Sequence, residues 1–197
     1  MSIAATLVKE LREKTGAGMM DCRKALLETQ GDIEKAVVLL RQKGMITAEK
    51  KAGRQTTAGR TEAYIHFDGK VGVLIEVNCE TDFVGKTEAF RELCKNLAMQ
   101  VAANSPRFVS RNDVPESVRE EERNIYRAQV RDEGKPDHIV ERIIEGKLDK
   151  FYQRVCLLDQ PYVKEDSKKV QDEIKETIAK VGENIVVKRF CRYALGE

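Results

Sequence analysis

The chain has 197 residues, of which 41% are hydrophobic and 35% charged, with a formal net charge of +2. That length fits one or two domains, and the charge, with only 13 Gly and 4 Pro, points to long solvated helices rather than a low-complexity chain. No apolar run approaches the roughly 18–20 residues of a membrane span, and Met1-Ser2-Ile3-Ala4-Ala5-Thr6 lacks the basic start and apolar stretch of a signal peptide, so neither a membrane protein nor a secreted scaffold is expected.

The first fifty residues predict three short helices packed as one bundle. Ile3, Leu7, Val8 and Leu11 form one helical stripe. Thr15-Gly16-Ala17-Gly18 stops it, because paired glycines favour turns over helix. Met20, Lys24 and Leu27 continue a second helix. Gly31-Asp32 breaks the chain, and Asp32 is placed to N-cap a third helix with Ile33, Ala36, Val37 and Leu40 on its apolar face. Gly44 is expected to end that helix, and residues 45–60 read as a fraying, basic linker.

The period then changes. Ala63, Ile65 and Phe67 alternate with Glu62, Tyr64 and His66, a half-buried strand with the apolar set expected inside. Asp68-Gly69 signals a hairpin turn. Val71-Gly72-Val73-Leu74-Ile75-Glu76-Val77 reads as a more buried strand, paired antiparallel with the first. Phe90, Leu93, Leu97 and Val101 space a strong helix closed before Pro106. A highly charged helix spans residues 116–132, anchored by Val118, Ile125 and Val130. Gly134-Lys135-Pro136 breaks it. Ile139, Ile143 and Ile144 predict a short helix ended by Gly146, and Leu148, Tyr152, Val155 and Cys156 another ended by Pro161. Val170, Ile174, Ile178 and Val181 space a last helix, and residues 184–193 read as a third strand. The expected fold is α+β: a small, about three-stranded antiparallel sheet covered on one face by helices, plus an N-terminal helical module. The expected domains are 1–53, a linker at 54–60, and an α+β core at 61–197.

Five cysteines (Cys22, Cys79, Cys94, Cys156 and Cys191) include no C-x-x-C pair, which favours reduced thiols and a cytoplasmic location. Two histidines, His66 and His138, are too few to suggest a zinc site, so no metal is expected. The charge is uneven. Residues 1–60 carry 12 basic and 7 acidic side chains, and Arg41, Lys43, Lys50, Lys51, Arg54 and Arg60 face the single acid Glu49. Such a stretch suits an acidic protein, a nucleic acid or a solvated helix.

Motifs for nucleotide chemistry fail. The stretch Gly53-Arg54-Gln55-Thr56-Thr57-Ala58-Gly59-Arg60-Thr61 has one residue too many between its glycines for a phosphate loop, and Arg where Lys belongs. Gly16-Ala17-Gly18 follows a helix and has Asp21 where a third glycine is needed. Cys79 beside Glu80 is a weak nucleophile candidate, since a thiol site needs a base in reach and His66 reads as a surface residue. No catalytic residue and no cofactor are expected. The informative segment is Asn78-Cys79-Glu80-Thr81-Asp82-Phe83-Val84, where a buried strand turns into a helix. Two readings stand. Thr81 or Asp82 caps the helix and Phe83 packs back onto it. Or the loop projects a carboxylate and a ring outward as a wedge for a partner. Exposure of Phe83 favours the wedge.

Cys79-Glu80-Thr81-Asp82-Phe83-Val84 resembles the signature of the translation elongation factor Ts family. Leu11-Arg12-Glu13-Lys14-Thr15-Gly16-Ala17-Gly18-Met19-Met20-Asp21-Cys22-Arg23-Lys24-Ala25-Leu26 is similar to its N-terminal motif, and Gly182-Glu183-Asn184-Ile185-Val186-Val187-Lys188-Arg189-Phe190 to its closing strand. The likeness covers essentially the whole chain and fits the family's short form, without the coiled-coil insertion and second full core subdomain of the long one. It implies a guanine-nucleotide exchange factor that acts on the GTPase elongation factor Tu. Thr81, Asp82, Phe83 and Val84 would form the exchange motif, with Asp82 and Phe83 entering near the partner's Mg²⁺ and phosphate site. The N-terminal module would resemble a ubiquitin-associated fold and dock through Gly16, Gly18, Met19 and Met20, with Lys51 meeting acidic groups. Met20 is expected to pack and Met19 to make contact. Short forms are expected to dimerise through the third strand, with Cys191 near its copy. The competing readings are an RNA-binding translation protein resting on the basic stretch, a hydrolase using Cys79, and a ubiquitin-like-binding module.

Overall fold

The computed structural model describes residues 3–131 and 136–197. Its contacts group into two compact units: Met1–Thr61 with Glu76–Cys94 and Asp172–Val187, and Glu62–Ile75 with Lys95–Gln171 and Lys188–Glu197.

In the first unit, α1 (Ala5–Thr15), α2 (Met19–Glu28) and α3 (Ile33–Lys51) form the predicted three-helix module. Val8, Leu11, Cys22, Ala25, Leu26 and Ala36 make its core, so each helix buries one stripe. Gly16 takes a left-handed conformation (φ 66°) and its N–H donates to Arg12 O, closing α1. Asp32 caps α3 as predicted, accepting from Lys35 N–H at 3.0 Å. The helix does not end at Gly44. It runs through to Lys51, and Gly44 is buried. A Cβ at Gly44 would lie 3.1 Å from the Cβ of Ala179, on helix α8 (Val170–Val181). Close helix approach there outweighs the ~1 kcal/mol that glycine costs a helix.

Strands β1 (Ala58–Ile65), β2 (Val71–Cys79) and β5 (Ile185–Ala194) form a three-stranded sheet in the order β1-β2-β5. β1 thus opens inside the polar stretch 54–60. His66 N–H donates to Val71 O across the hairpin turn. Leu195 N–H donates to Lys70 O, so the end of β5 meets the start of β2 and that pair too is antiparallel. Val73, Ile75, Val77 and Cys79 are buried on one face of β2. β1 is the reverse of the expectation. Ile65 and Phe67 are 65% and 92% exposed, whereas Glu62, Tyr64 and His66 are half-buried. Alternation separates two faces without saying which one the helices cover. Phe67 itself lies in the turn, with its ring centroid 4.4 Å from that of His66.

α4 is the short turn Asp82–Gly85, and α5 (Glu88–Asn104) buries Phe90, Leu93, Leu97 and Val101 at the predicted spacing. In the second unit, α6 (Glu116–Arg131) and α7 (Asp137–Val155) pair along their length through Arg123–Glu145 at 2.9 Å and Arg127–Glu141 at 3.1 Å. Ile125, expected as an anchor of α6, is 45% exposed, while Val130 is buried. The two short helices expected at 139–156 are one. Gly146 sits exposed inside α7, because Ile144, Leu148, Phe151 and Val155 continue a single buried stripe across it. The Gly134-Lys135 part of the predicted break lies outside the described residues. A small hairpin of β3 (Pro161–Tyr162) and β4 (Glu165–Lys169) was not legible, since Glu-Asp-Ser-Lys-Lys has no apolar alternation. No helix among the described residues is long and apolar enough to cross a membrane.

Candidate functional site: an outward ring on a hydrogen-bonded turn

β2 ends at Cys79, and the chain turns at once into α4. Thr81 has an extended backbone and accepts from Val84 N–H through Oγ1 at 3.5 Å. Gly85 N–H donates to Thr81 O and Lys86 N–H to Phe83 O. Thr87 Oγ1 donates to Val84 O at 2.7 Å and accepts from Phe90 N–H at 3.4 Å, joining the turn to α5. Beneath it, Gly59 (φ +143°) has no room for a Cβ, which would stand 2.3 Å from Val77 O. Gly85 rests on this floor, its own Cβ position 3.5 Å from Gly59 O.

The turn therefore has an inside and an outside. Val84 is buried at 3% exposure, so it anchors. Thr81 and Asp82 are exposed, and Phe83 is 80% exposed. An apolar ring held in water on a turn bonded at Thr81, Phe83 O, Val84 and Gly85 gains nothing for the fold. The packing-back reading of Phe83 fails, while the capping role of Thr81 holds.

Two acidic residues and an amide support this turn. Glu183 takes Thr81 with both carboxylate oxygens: Oε1 accepts from Thr81 Oγ1 at 2.6 Å and Oε2 from Thr81 N–H at 2.9 Å. Glu80 accepts from Asn184 N–H at 2.7 Å and pairs with Arg54 at 3.5 Å. The buried Asn184 amide donates to Ala52 O and Arg54 O. Gly182, in a left-handed conformation (φ +81°), donates to Ile178 O, ends α8 and turns the chain toward Thr81. The sequence quoted Glu183 and Asn184 only as part of a strand, and nothing local signals a bond made across 102 residues.

The N-terminal candidates form a separate cluster. Gly18 precedes α2 as its N-cap, and Met19 and Met20 are 47% and 58% exposed. Met20 does not pack: it heads a helix whose buried side is Cys22, Ala25 and Leu26. Lys51 is not free either, because its ammonium donates to Gly182 O. Its basic neighbours are similarly engaged, Arg41 with Glu176 at 3.0 Å and Lys43 with Glu28 at 2.6 Å. With Arg54 on Glu80 as well, at least four of the six cations of this stretch are engaged with the chain's own acids and carbonyls, which makes it a weaker phosphate track and counts against RNA. Cys79 is buried and donates its thiol to Thr81 O at 3.2 Å. Burial, and next the Glu183 carboxylate, push that thiol up, away from the thiolate a nucleophile needs. Among the described residues, no group of three or more His, Cys, Asp or Glu is arranged to hold a metal.

A sequence model described as Elongation factor TS matches residues 3–197. The chain belongs to the elongation factor Ts family. An elongation factor Ts from Thermotoga neapolitana is 60% identical over 197 residues, covering 100% of this chain and 99% of that relative. One from Moorella thermoacetica is 61% identical over 195 residues, covering 99% and 96%. The turn carrying Phe83 and the loop carrying Met19 thus belong to an elongation factor Ts chain matched along nearly its whole length.

Proposed function

We propose that the chain is a guanine-nucleotide exchange factor that binds elongation factor Tu and promotes GDP release during translation elongation. The observation that carries this reading is the 80% exposure of Phe83 on a turn held by hydrogen bonds at Thr81, Phe83 O, Val84 and Gly85. The ring is a preformed wedge, and Thr81, Asp82 and Val84 set its cap, its charge and its anchor.

The mechanism needs no bond chemistry and no catalytic residue. A factor that binds the nucleotide-free GTPase more tightly than the loaded one must weaken nucleotide binding by the same factor. The bound cation dominates the electrostatics of a nucleotide site, so displacing the helices that support Mg²⁺ and phosphate removes charge compensation from the diphosphate. Phe83 inserts between those helices, while Asp82 fixes the wedge or competes near the metal. Gly16 and Gly18 shape the N-terminal loop that docks on another helix of the GTPase through Met19 and Met20, whose flexible side chains adapt to an irregular groove. Lys51, grouped with this docking loop by the family resemblance, braces the 182–184 turn behind the exchange motif through its bond to Gly182 O. The chain carries no nucleotide or metal of its own, touches no nucleic acid and works in the cytoplasm. Its domains are the module 1–53 and the core 61–197, with 54–60 between them.

The same reading makes the chain a homodimer. Ile65, Leu74, Tyr193 and Leu195 are exposed along a groove that also takes in Cys191. Contiguous apolar surface of this kind marks an interface, and a two-fold axis lets one such face cover another. Cys191, the exposed cysteine, would approach its copy, and non-reducing gels of the protein and of Cys191→Ser read out any disulfide.

The test is stopped-flow release of a fluorescent GDP analogue from elongation factor Tu, with no addition, with this protein and with Phe83→Ala. Strong acceleration lost in the variant is the expected result. No acceleration by the wild type at concentrations where binding is established would overturn the reading and turn attention to RNA.

A further inference from the structure

We infer that Glu183 is the positioning residue of the exchange motif: its carboxylate grips Thr81 and thereby sets the direction of Phe83. The inference rests on the exchange reading above and deepens it.

The geometry is a two-point grip. One carboxylate oxygen takes the Thr81 N–H at 2.9 Å, the other its hydroxyl at 2.6 Å. Charge-assisted bonds of this kind are shorter and stronger than neutral ones, and two together fix orientation as well as distance. Because the hydroxyl proton goes to Glu183, the lone pairs of Thr81 Oγ1 are left for the N–H of Val84, the residue next after the ring. Thr81 O in turn accepts from Gly85 N–H. On its N-terminal side the Asp82-Phe83 pair is thus oriented through Thr81, which is itself set by Glu183, while Lys86 N–H on Phe83 O and Thr87 on Val84 O hold the side toward α5.

Glu183 is placed by three ties that have no other evident purpose. Lys51 holds Gly182 O, Asn184 Nδ2 holds Ala52 O at 3.3 Å and Arg54 O at 2.9 Å, and Asn184 N–H is held by Glu80. The end of α3 and the end of β2 therefore both brace the 182–184 turn. Lys51 and Glu80 act through Glu183, and Glu183 acts through Thr81.

Two measurements test this independently. In the first, amide hydrogen exchange is followed at Thr81, Val84 and Gly85 in the free protein and in Glu183→Ala and Glu183→Gln. The alanine variant is expected to speed exchange there by about tenfold or more, with core amides of α5 unchanged. Gln keeps an acceptor for the N–H and a donor for Oγ1, so it should restore most of the protection. Unchanged protection in the alanine variant overturns the grip, whatever the protein does to elongation factor Tu. In the second, GDP release is measured for Glu183→Ala, Glu183→Gln, Phe83→Ala and the Glu183→Ala/Phe83→Ala double variant. Misplacing a contact by about 1 Å costs up to ~100-fold, so Glu183→Ala should slow release about ten- to a hundredfold, with Gln within about threefold of wild type. On the Phe83→Ala background, Glu183→Ala should add almost nothing. Additive losses would assign Glu183 a general structural role and overturn the proposal. If the wild type itself fails to accelerate release, the exchange reading falls, and the first measurement alone decides the grip.

Discussion

Two phenylalanines stand in water on this chain, and they do so for different reasons. Phe83, 80% exposed, is a single ring on a turn bonded at Thr81, Phe83, Val84 and Gly85. Phe67, 92% exposed, lies in a hairpin turn against His66, beside a strand end where Ile65 is exposed too. A lone ring on a stiff mount suits a contact made and broken, since little apolar surface is hidden between events. A broad apolar end suits a cover that stays on. Exposure alone does not separate them; what supports the ring and what surrounds it does.

The largest effect is expected from beneath the first ring. Gly59→Ala forces a Cβ onto Val77 O in a backbone conformation that side chains rarely adopt. It should cost about 2–4 kcal/mol in a denaturant melt, whereas Gly85→Ala, whose Cβ would meet only ordinary contacts, should cost far less. If both are tolerated equally, the mount is not stiff. Next comes the ring itself. Phe83→Ala should slow assisted GDP release about ten- to a hundredfold with an unchanged melting temperature, while Phe67→Ala should leave release near wild type. Equal losses would erase the contrast. The second region is sharpened by a charge. Tyr193→Asp at the exposed strand end should raise a dimer dissociation constant about tenfold or more in sedimentation, and should not alter the amide protection of the Phe83 turn. The smallest effect is a count of thiols. In the reduced Tyr193→Asp variant, where the dimer face is uncovered, Cys191 alone should react with a thiol reagent at neutral pH, because the other four are buried and burial pushes the Cys156 thiol up to about 11. A second fast thiol would mean that one of the cores opens.

The helices were largely legible because each buries one stripe at a regular spacing, as Leu93, Leu97 and Val101 show. Glycine misled twice for opposite reasons. Gly44 lies within α3 because a neighbouring helix packs close against it, a Cβ there standing 3.1 Å from that of Ala179, and Gly146 lies within α7 because the buried stripe continues past it. The strands were found, yet the inward face of β1 was assigned wrongly, since Ile65 and Tyr64 alternate equally well whichever side is covered. At the candidate site, the chain announced Thr81, Asp82 and Phe83 through a strand-to-helix turn, and the likeness to elongation factor Ts gave that turn a meaning. Glu183 stayed hidden because its bond to Thr81 is a fact of tertiary structure only. Lys51 looked like a free cation for the same reason.

The distance along the chain between Thr81 and Glu183 has a consequence for synthesis. The two are 102 residues apart, and ribosomes add roughly 5–20 residues per second. The motif therefore emerges ~5–20 s before the carboxylate that grips it. For that interval the nascent chain carries every residue of the wedge without its mount. Closing so long a loop is among the later and entropically dearer steps of folding. The factor should thus become competent only when its last strand is being laid down, and a truncated product ending before residue 183 would carry the motif without its aim.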